Sequence, residues 1–137
     1  MEVRAQMKEN VIQKKSYDFA LQIVLLYQKL CKANEYVLSK QILRSGTSIG
    51  ANVEEAQAGQ SRADFVSKIS IASKEARETC YWLRLLRDSN TIAESEADVL
   101  LSEAESIINI LTAIVKTTSQ NNSKFKIQNP EFKIVLG

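Results

Sequence analysis

A near absence of helix-breaking residues is the feature that most constrains how this chain folds. Its 137 residues contain one proline, Pro130, and four glycines. Proline and glycine most strongly disfavour a helix interior, whereas the alanine, leucine, glutamate, lysine and glutamine that are common here favour it. The sequence therefore predicts an all-α protein, and its length fits a single domain.

Helix-start and helix-stop residues divide the chain into four helices and a tail. The first predicted helix runs from about Ser16 to Ala33 and is closed by Asn34, and the second runs from the N-cap Ser39 to about Ala58 and is closed by Gly59. The third begins with the capping box of Ser61 and Asp64 and ends near Asp88. The fourth begins with the capping box of Thr91 and Glu94 and ends near Gln120. Short connections make successive helices antiparallel, so we predict an up-down four-helix bundle over residues 1–120. Apolar and polar residues alternate in the tail, residues 121–137. Because an isolated hairpin is marginal, we expect the tail to be mobile or docked on a partner.

Apolar residues follow helical spacing in each segment and predict the core. The stripe of the second helix is Ile42, Gly46, Ile49, Val53 and Ala56; that of the third is Phe65, Ile69, Ala72, Ala76, Cys80 and Leu83; that of the fourth is Ala97, Leu100, Leu101, Ala104, Ile107, Ile108, Leu111, Ile114 and Val115. Gly46 and Gly50 lie on or beside the stripe of the second helix. They indicate either close approach of a neighbouring helix or a kink at Gly50.

The first helix is apolar on nearly all sides. Ten of the thirteen residues from Phe19 to Cys31 are apolar. A helix of this kind must be covered on several sides, so we expect a homo-oligomer. Residues 1–44 carry eight Lys/Arg against four Asp/Glu, whereas residues 91–120 carry one against five. These opposite charges favour the first and last helices as neighbours, within the bundle or across subunits.

Several kinds of enzyme site conflict with the composition. The chain has no histidine, which removes Ser-His-Asp and Cys-His catalysis and most zinc sites. The segment SGTSIG lacks the G-x-x-x-x-G-K-[ST] pattern of a phosphate-binding loop. Glu75 and Glu78 have the spacing of a helical magnesium site, but salt-bridged or solvated glutamates are the favoured interpretation. We therefore expect no catalytic residues, no metal and no cofactor.

A line of basic residues on the third helix is the candidate nucleic-acid site. The candidates are Arg62, Lys68, Lys74, Arg77, Tyr81 and Arg84, with Arg87 near them in sequence. Cations could bind phosphates and the tyrosine could stack on a base. The competing interpretation is a solvated face paired locally, through Asp64 with Lys68, Lys74 with Glu78, and Arg84 with Asp88.

The N-terminal sequence and the cysteines suggest a cytoplasmic protein. The first residues lack the apolar run of a signal peptide, and no apolar stretch is long enough to cross a membrane. Cys31 and Cys80 lie far apart in helical patterns, so we expect buried free thiols.

Three segments together resemble a known family. They are KSYDFALQIV, LSKQILRSGTSIGANVEEA and SRADFVSKISIASKEARETCYWLRLL, in this order. They resemble the bacterial four-helix proteins encoded within intervening sequences of 23S ribosomal RNA genes, over most of residues 10–120. The resemblance implies a four-helix bundle that assembles into a homopentameric ring, with no enzyme activity. It also implies similarity to the accessory variability determinant of diversity-generating retroelements, a basic ring that contacts a reverse transcriptase and nucleic acid.

These observations favour a non-catalytic oligomer that binds structured RNA, with ribosomal RNA as the leading candidate. The alternative is a protein-binding scaffold, or an accessory factor for a nucleic-acid enzyme, that recruits its partner through the apolar tail or an exposed groove. A magnesium-dependent pyrophosphohydrolase built on Glu75 and Glu78 is a third hypothesis.

Overall fold

The structure is a computed structural model that describes the backbone of residues 2–128 and the side chains of residues 11–120. Within those residues the chain is all-helical. The helices are α1 (Glu2–Lys32), α2 (Leu38–Gln57), α3 (Arg62–Asp88) and α4 (Glu94–Gln128). None of the described helices is long and apolar enough to cross a membrane.

Neighbouring helices are antiparallel, because residues later in one helix contact residues earlier in the next, and this arrangement defines an up-down bundle. Between α2 and α3, Ser45 lies opposite Thr79, whereas Glu55, further along α2, pairs with Lys68, further back on α3. The pair α1 and α4 shows the same order, because Gln22 contacts Glu103 and Lys29 contacts Glu96. The predicted four-helix bundle is therefore confirmed.

The predicted core stripes are buried. Every member of the α2 stripe is buried, as are Ile69, Ala72, Ala76 and Leu83 of α3. On α4, Ala97, Leu100, Ala104, Ile107 and Leu111 are buried, while Leu101, Ile108, Ile114 and Val115 are half-buried against them. The two cysteines are free but half-buried, rather than fully buried as expected.

The two glycines of α2 face α1, and α2 continues without interruption through both. A Cβ added to Gly46 would lie 2.8 Å from Cγ1 and Cγ2 of Ile23, and one added to Gly50 would lie 3.3 Å from the backbone oxygen of Ser16. The interpretation as a close helix approach is confirmed, because a Cβ at Gly46 would clash with Ile23 and one at Gly50 would lie in tight contact with the backbone of α1.

Two of the predicted helix ends are confirmed. Asn34 has φ 65° and follows the last turn of α1, where the Glu35 N–H donates to the Leu30 carbonyl at 2.9 Å. Ser61 caps α3 by accepting from the Asp64 N–H at 3.1 Å. These ends depend on residues close in sequence, which is why local patterns find them.

The predicted N-cap Ser39 is wrong. Helix α2 begins at Leu38, and the side chain of Glu35 accepts hydrogen bonds from the N–H groups of Leu38 at 3.0 Å and Ser39 at 2.7 Å. Partial burial raises the pKa of the Glu35 carboxyl, but these backbone donors outweigh it, so the net pKa is lowered. The glutamate side chain is long enough to reach the unpaired N–H groups in the first turn of α2, which a serine N-cap would otherwise bind.

The predicted caps Gly59 and Thr91 are also wrong. Gly59 does not adopt a positive φ, because the last turn of α2 tightens instead, with the Ala58 N–H donating to the Glu55 carbonyl at 3.1 Å. Thr91 belongs to the end of α3: its N–H donates to the Leu86 carbonyl at 2.9 Å, and its hydroxyl lies 2.8 Å from that of Ser89.

Two helices are longer than predicted. Helix α1 begins at Glu2 rather than near Ser16, and α4 continues past Gln120 to Gln128. Neither extension contains a proline or glycine, so nothing local stops the helix. Phe125 and Ile127 consequently lie in helical backbone rather than in a hairpin strand. Residues 129–137 of the predicted tail lie outside the described residues.

Candidate nucleic-acid interface

An exposed line of side chains runs along the face of α3 that points away from the core. Lys74, Arg77, Tyr81 and Arg84, here called the outer stripe, follow one another at spacings of three, four and three residues, and all four are exposed. At 1.5 Å per residue the stripe spans about 15 Å of helix axis. Four of the six predicted site residues therefore share one surface.

The local ion pairs that would have neutralised this face do not form. Lys68 pairs with Glu55 of α2 at 3.3 Å rather than with Asp64, and Glu78 pairs with Arg44 rather than with Lys74. Asp88 pairs with its neighbour Arg87 at 2.9 Å rather than with Arg84. Partners on other helices replace most of the expected ones.

The cations of the outer stripe consequently remain available. Within residues 11–120, Lys74, Arg77 and Arg84 form no ion pair, whereas Lys68 has Glu55 as its partner. Arg62 is likewise without an ion-pair partner among these residues, but it is the first residue of α3, about 18 Å along the axis from Lys74. The structure therefore separates Arg62 and Lys68 from the other predicted site residues.

Arg87 differs from the cations of the outer stripe. Its guanidinium contacts Asp88 at 2.9 Å and Asp98 of α4 at 3.2 Å. Hydrogen bonds to these two carboxylates raise its pKa. We therefore place Arg87 in the contact between α3 and α4 rather than in the candidate interface.

Tyr81 is held at the centre of the stripe by a chain of side-chain contacts. Its ring lies 5.1 Å from that of Trp82 in an edge-to-face arrangement, and Trp82 Nε1 donates to Glu78 Oε2 at 2.9 Å. Arg44 in turn contacts Glu78. The guanidinium of Arg84 lies over the Tyr81 ring, 5.9 Å from its centre, a distance typical of a cation–π contact.

Arg44 of α2 is the residue at this site that sequence reasoning missed. It contacts Glu75 at 3.2 Å as well as Glu78, and so joins both carboxylates of the predicted acidic pair. The favoured interpretation of these glutamates as salt-bridged is confirmed, although their partner lies on another helix. In the part of the chain whose side chains are described, no group of three potential ligands could hold a metal ion.

The Cys80 thiol lies behind the outer stripe. Burial is the main cause that raises its pKa, and the charge of Glu105 raises it further, against the opposing influence of Arg84 and Arg77. The thiol is therefore protonated at neutral pH, which makes Cys80 a poor nucleophile.

Apolar surface is also exposed on α1. Tyr17, Leu21 and Leu25 follow one another at spacings of four residues and are 62%, 49% and 64% exposed. This second surface is here called the α1 stripe. Between α1 and α4, Lys29 and Glu96 form an ion pair at 2.8 Å, which confirms that the basic first helix and the acidic last helix are neighbours.

An apolar groove of about 460 Å³ lies near the connection between α2 and α3. All four helices contribute to it, and its lining includes Val11, Ile12, Phe65, Ile69 and Ile114. A groove of this composition is the surface on which the alternative of a protein-binding scaffold depends.

The fold and the outer stripe together define a four-helix-bundle protein with a basic, tyrosine-centred helix face. The family model described as 23S rRNA-intervening sequence protein matches residues 8–113. The chain belongs to this family, and the resemblance noted in the sequence is thereby confirmed.

A solved structure supports the same assignment. It is the 1.70 Å crystal structure of a protein with unknown function from the S23 ribosomal protein family of Bacteroides thetaiotaomicron. The two sequences are 49% identical, the match covers 80% of this chain and 98% of that one, and the TM-score is 0.78. A comparison with curated proteins found no match.

Proposed function

We propose that this protein is a non-catalytic, cytoplasmic RNA-binding protein that works as a homo-oligomer, with ribosomal RNA as the leading target. The observation that carries the proposal is the outer stripe, in which three exposed cations without an ion-pair partner among residues 11–120 surround an exposed tyrosine. RNA binding needs cations that are free to displace counterions from phosphates. The family name, which refers to 23S ribosomal RNA, supports the choice of RNA.

The proposed oligomer depends on the α1 stripe. Three large apolar side chains in a row on one helix face are a surface that a second copy can cover. The family resemblance favours a ring of five copies. Repeating the outer stripe around a ring would strengthen a weak site by avidity, because one long RNA can contact several copies at once.

Substitution of single cations tests the proposed RNA contact. We expect Arg77→Gln to weaken binding of a labelled structured RNA and to reduce the slope of log K against log salt by about 0.7 to 0.9. Lys68→Gln is the matched control: it removes the same charge from the same helix, but from a lysine already paired with Glu55. Equal losses in the two variants would mean that general charge, rather than the outer stripe, attracts the RNA.

The alternative of a scaffold or accessory factor rests on the apolar groove to which all four helices contribute. It predicts that Ile114→Glu, in the lining of the groove, abolishes capture of a specific protein from lysate while the variant stays folded and retains RNA binding. Retention of every captured protein by this variant would count against the groove as a docking site.

A further inference from the structure

We propose that the outer stripe binds an unpaired nucleotide whose base stacks on Tyr81, so that the preferred ligand is a single-stranded or looped RNA segment rather than a continuous duplex. This inference rests on the proposed function and specifies the RNA that the site takes.

The first argument is the packing of the Tyr81 ring against Trp82. The side chain is 47% exposed, yet its ring packs edge-to-face on Trp82, which is half-buried and hydrogen-bonded to Glu78. A ring that already packs on a neighbour loses less conformational freedom when a base stacks on it than an unsupported ring does, so more of the stacking energy remains as affinity. An exposed tyrosine on a mobile side chain would lack this advantage.

The second argument is the arrangement of charge around the ring. The guanidinium of Arg84 lies over the ring, 5.9 Å from its centre, so a base that stacks on this face takes the place of the guanidinium and leaves it free to bind a phosphate. Arg77 occupies the preceding turn of the same face. A base stacked on the ring carries its own phosphates within reach of such neighbouring cations. Aromatic side chains combined with flanking cations are the usual means of binding single strands.

The third argument is the exposed apolar surface among the cations. Ile71 and Leu85 lie on the same face and are each 37% exposed. A duplex presents sugars and phosphates to a helix face, and the major groove of A-form RNA is too deep and narrow to be read by side chains. Apolar side chains at this position can contact bases of an RNA once those bases are unstacked from a duplex, which favours an unpaired ligand.

Two labelled probes of equal length, a single-stranded RNA and an RNA duplex, test the inference by fluorescence anisotropy. We expect wild-type protein to prefer the single strand. Tyr81→Leu should weaken single-strand binding about five- to 140-fold, the range for loss of one stacked base, and change duplex binding less than twofold. Tyr81→Phe keeps the stacking surface and should stay within about twofold of wild type. Tyr36→Leu, at an exposed tyrosine outside α3, is the matched control.

The outcomes separate this inference from the proposed function. If wild-type protein binds neither probe, the proposed function itself fails. If it binds both probes and Tyr81→Leu affects neither, or both equally, RNA binding stands and base stacking is refuted. If Tyr81→Leu instead lowers the particle mass in light scattering, the outer stripe is a contact between copies, which also refutes the inference.

The single tryptophan supplies an independent readout. Because Trp82 contacts the Tyr81 ring, occupancy of that ring should alter Trp82 fluorescence on saturation with the single strand. An unchanged emission spectrum at saturation would place the RNA elsewhere. Thermal unfolding of each variant shows whether a loss of binding reflects a loss of folded protein.

Discussion

Replacement of Gly46 by alanine tests the close packing of α1 on α2. The added methyl group would lie 2.8 Å from both γ-carbons of Ile23, a fully buried side chain. Overpacking of a core costs about 1–3 kcal/mol, and contact with a branched, enclosed side chain favours the upper part of this range. This cost is partly offset, because alanine stabilises a helix interior by roughly 1 kcal/mol relative to glycine. We therefore expect Gly46→Ala to lower the free energy of unfolding by about 1–2 kcal/mol.

A double-mutant cycle with Ile23→Ala isolates the clash from other effects. Ile23→Ala alone should destabilise the protein by about 2–5 kcal/mol, but it removes both γ-carbons that the new methyl group meets. In that background Gly46→Ala should be neutral or stabilising, which gives a strong coupling between the two positions.

Urea unfolding followed by circular dichroism measures each corner of the cycle. All four proteins must be compared at one protein concentration, since assembly would contribute to the stability. If Gly46→Ala stabilises the otherwise unchanged protein by about 1 kcal/mol, helix propensity alone decides the result. The close approach of α1 would then be refuted.

Three further substitutions test the cap, the polar contacts and the assembly. Glu35→Ala should cost about 1 kcal/mol at neutral pH. Because the pKa of Glu35 is lowered in the folded protein, the free energy of unfolding of the wild type should also fall as the pH drops below about 5. If the free energy of unfolding of Glu35→Ala falls with pH in the same way, Glu35 does not cap α2. Arg44→Met should destabilise the protein in urea unfolding by leaving two carboxylates side by side; no change would show that solvent already screens them. Leu25→Glu should reduce the mass in light scattering without unfolding the bundle, whereas an unchanged mass would exclude the α1 stripe from the assembly.

Local sequence patterns predicted those features that depend on neighbours in sequence. The buried stripe around Ile49 and Val53, the cap Ser61 and the left-handed Asn34 are all decided within one or two helical turns. The close approach at Gly46 was also predictable, because two glycines inside an otherwise helical pattern need a physical reason.

Two of the errors occur where a more distant residue replaces the expected local partner. Glu35 supplies the cap that was assigned to Ser39, and Arg44 binds the carboxylate of Glu78 that was assigned to Lys74. Both replacements need a side chain that reaches beyond the nearest position, across a loop or between helices. Spacing along one helix therefore identified the outer stripe, but not which of its cations remain unpaired.

The measurement that tests the central claim most directly is binding of the purified protein to a labelled structured RNA across a range of salt concentrations. Particle mass is determined by light scattering in the same samples. We predict an oligomer whose affinity falls steeply with salt, and a slope that becomes shallower in Arg77→Gln but not in Lys68→Gln. An oligomer that does not bind RNA, or binds it with no dependence on salt, would contradict the account.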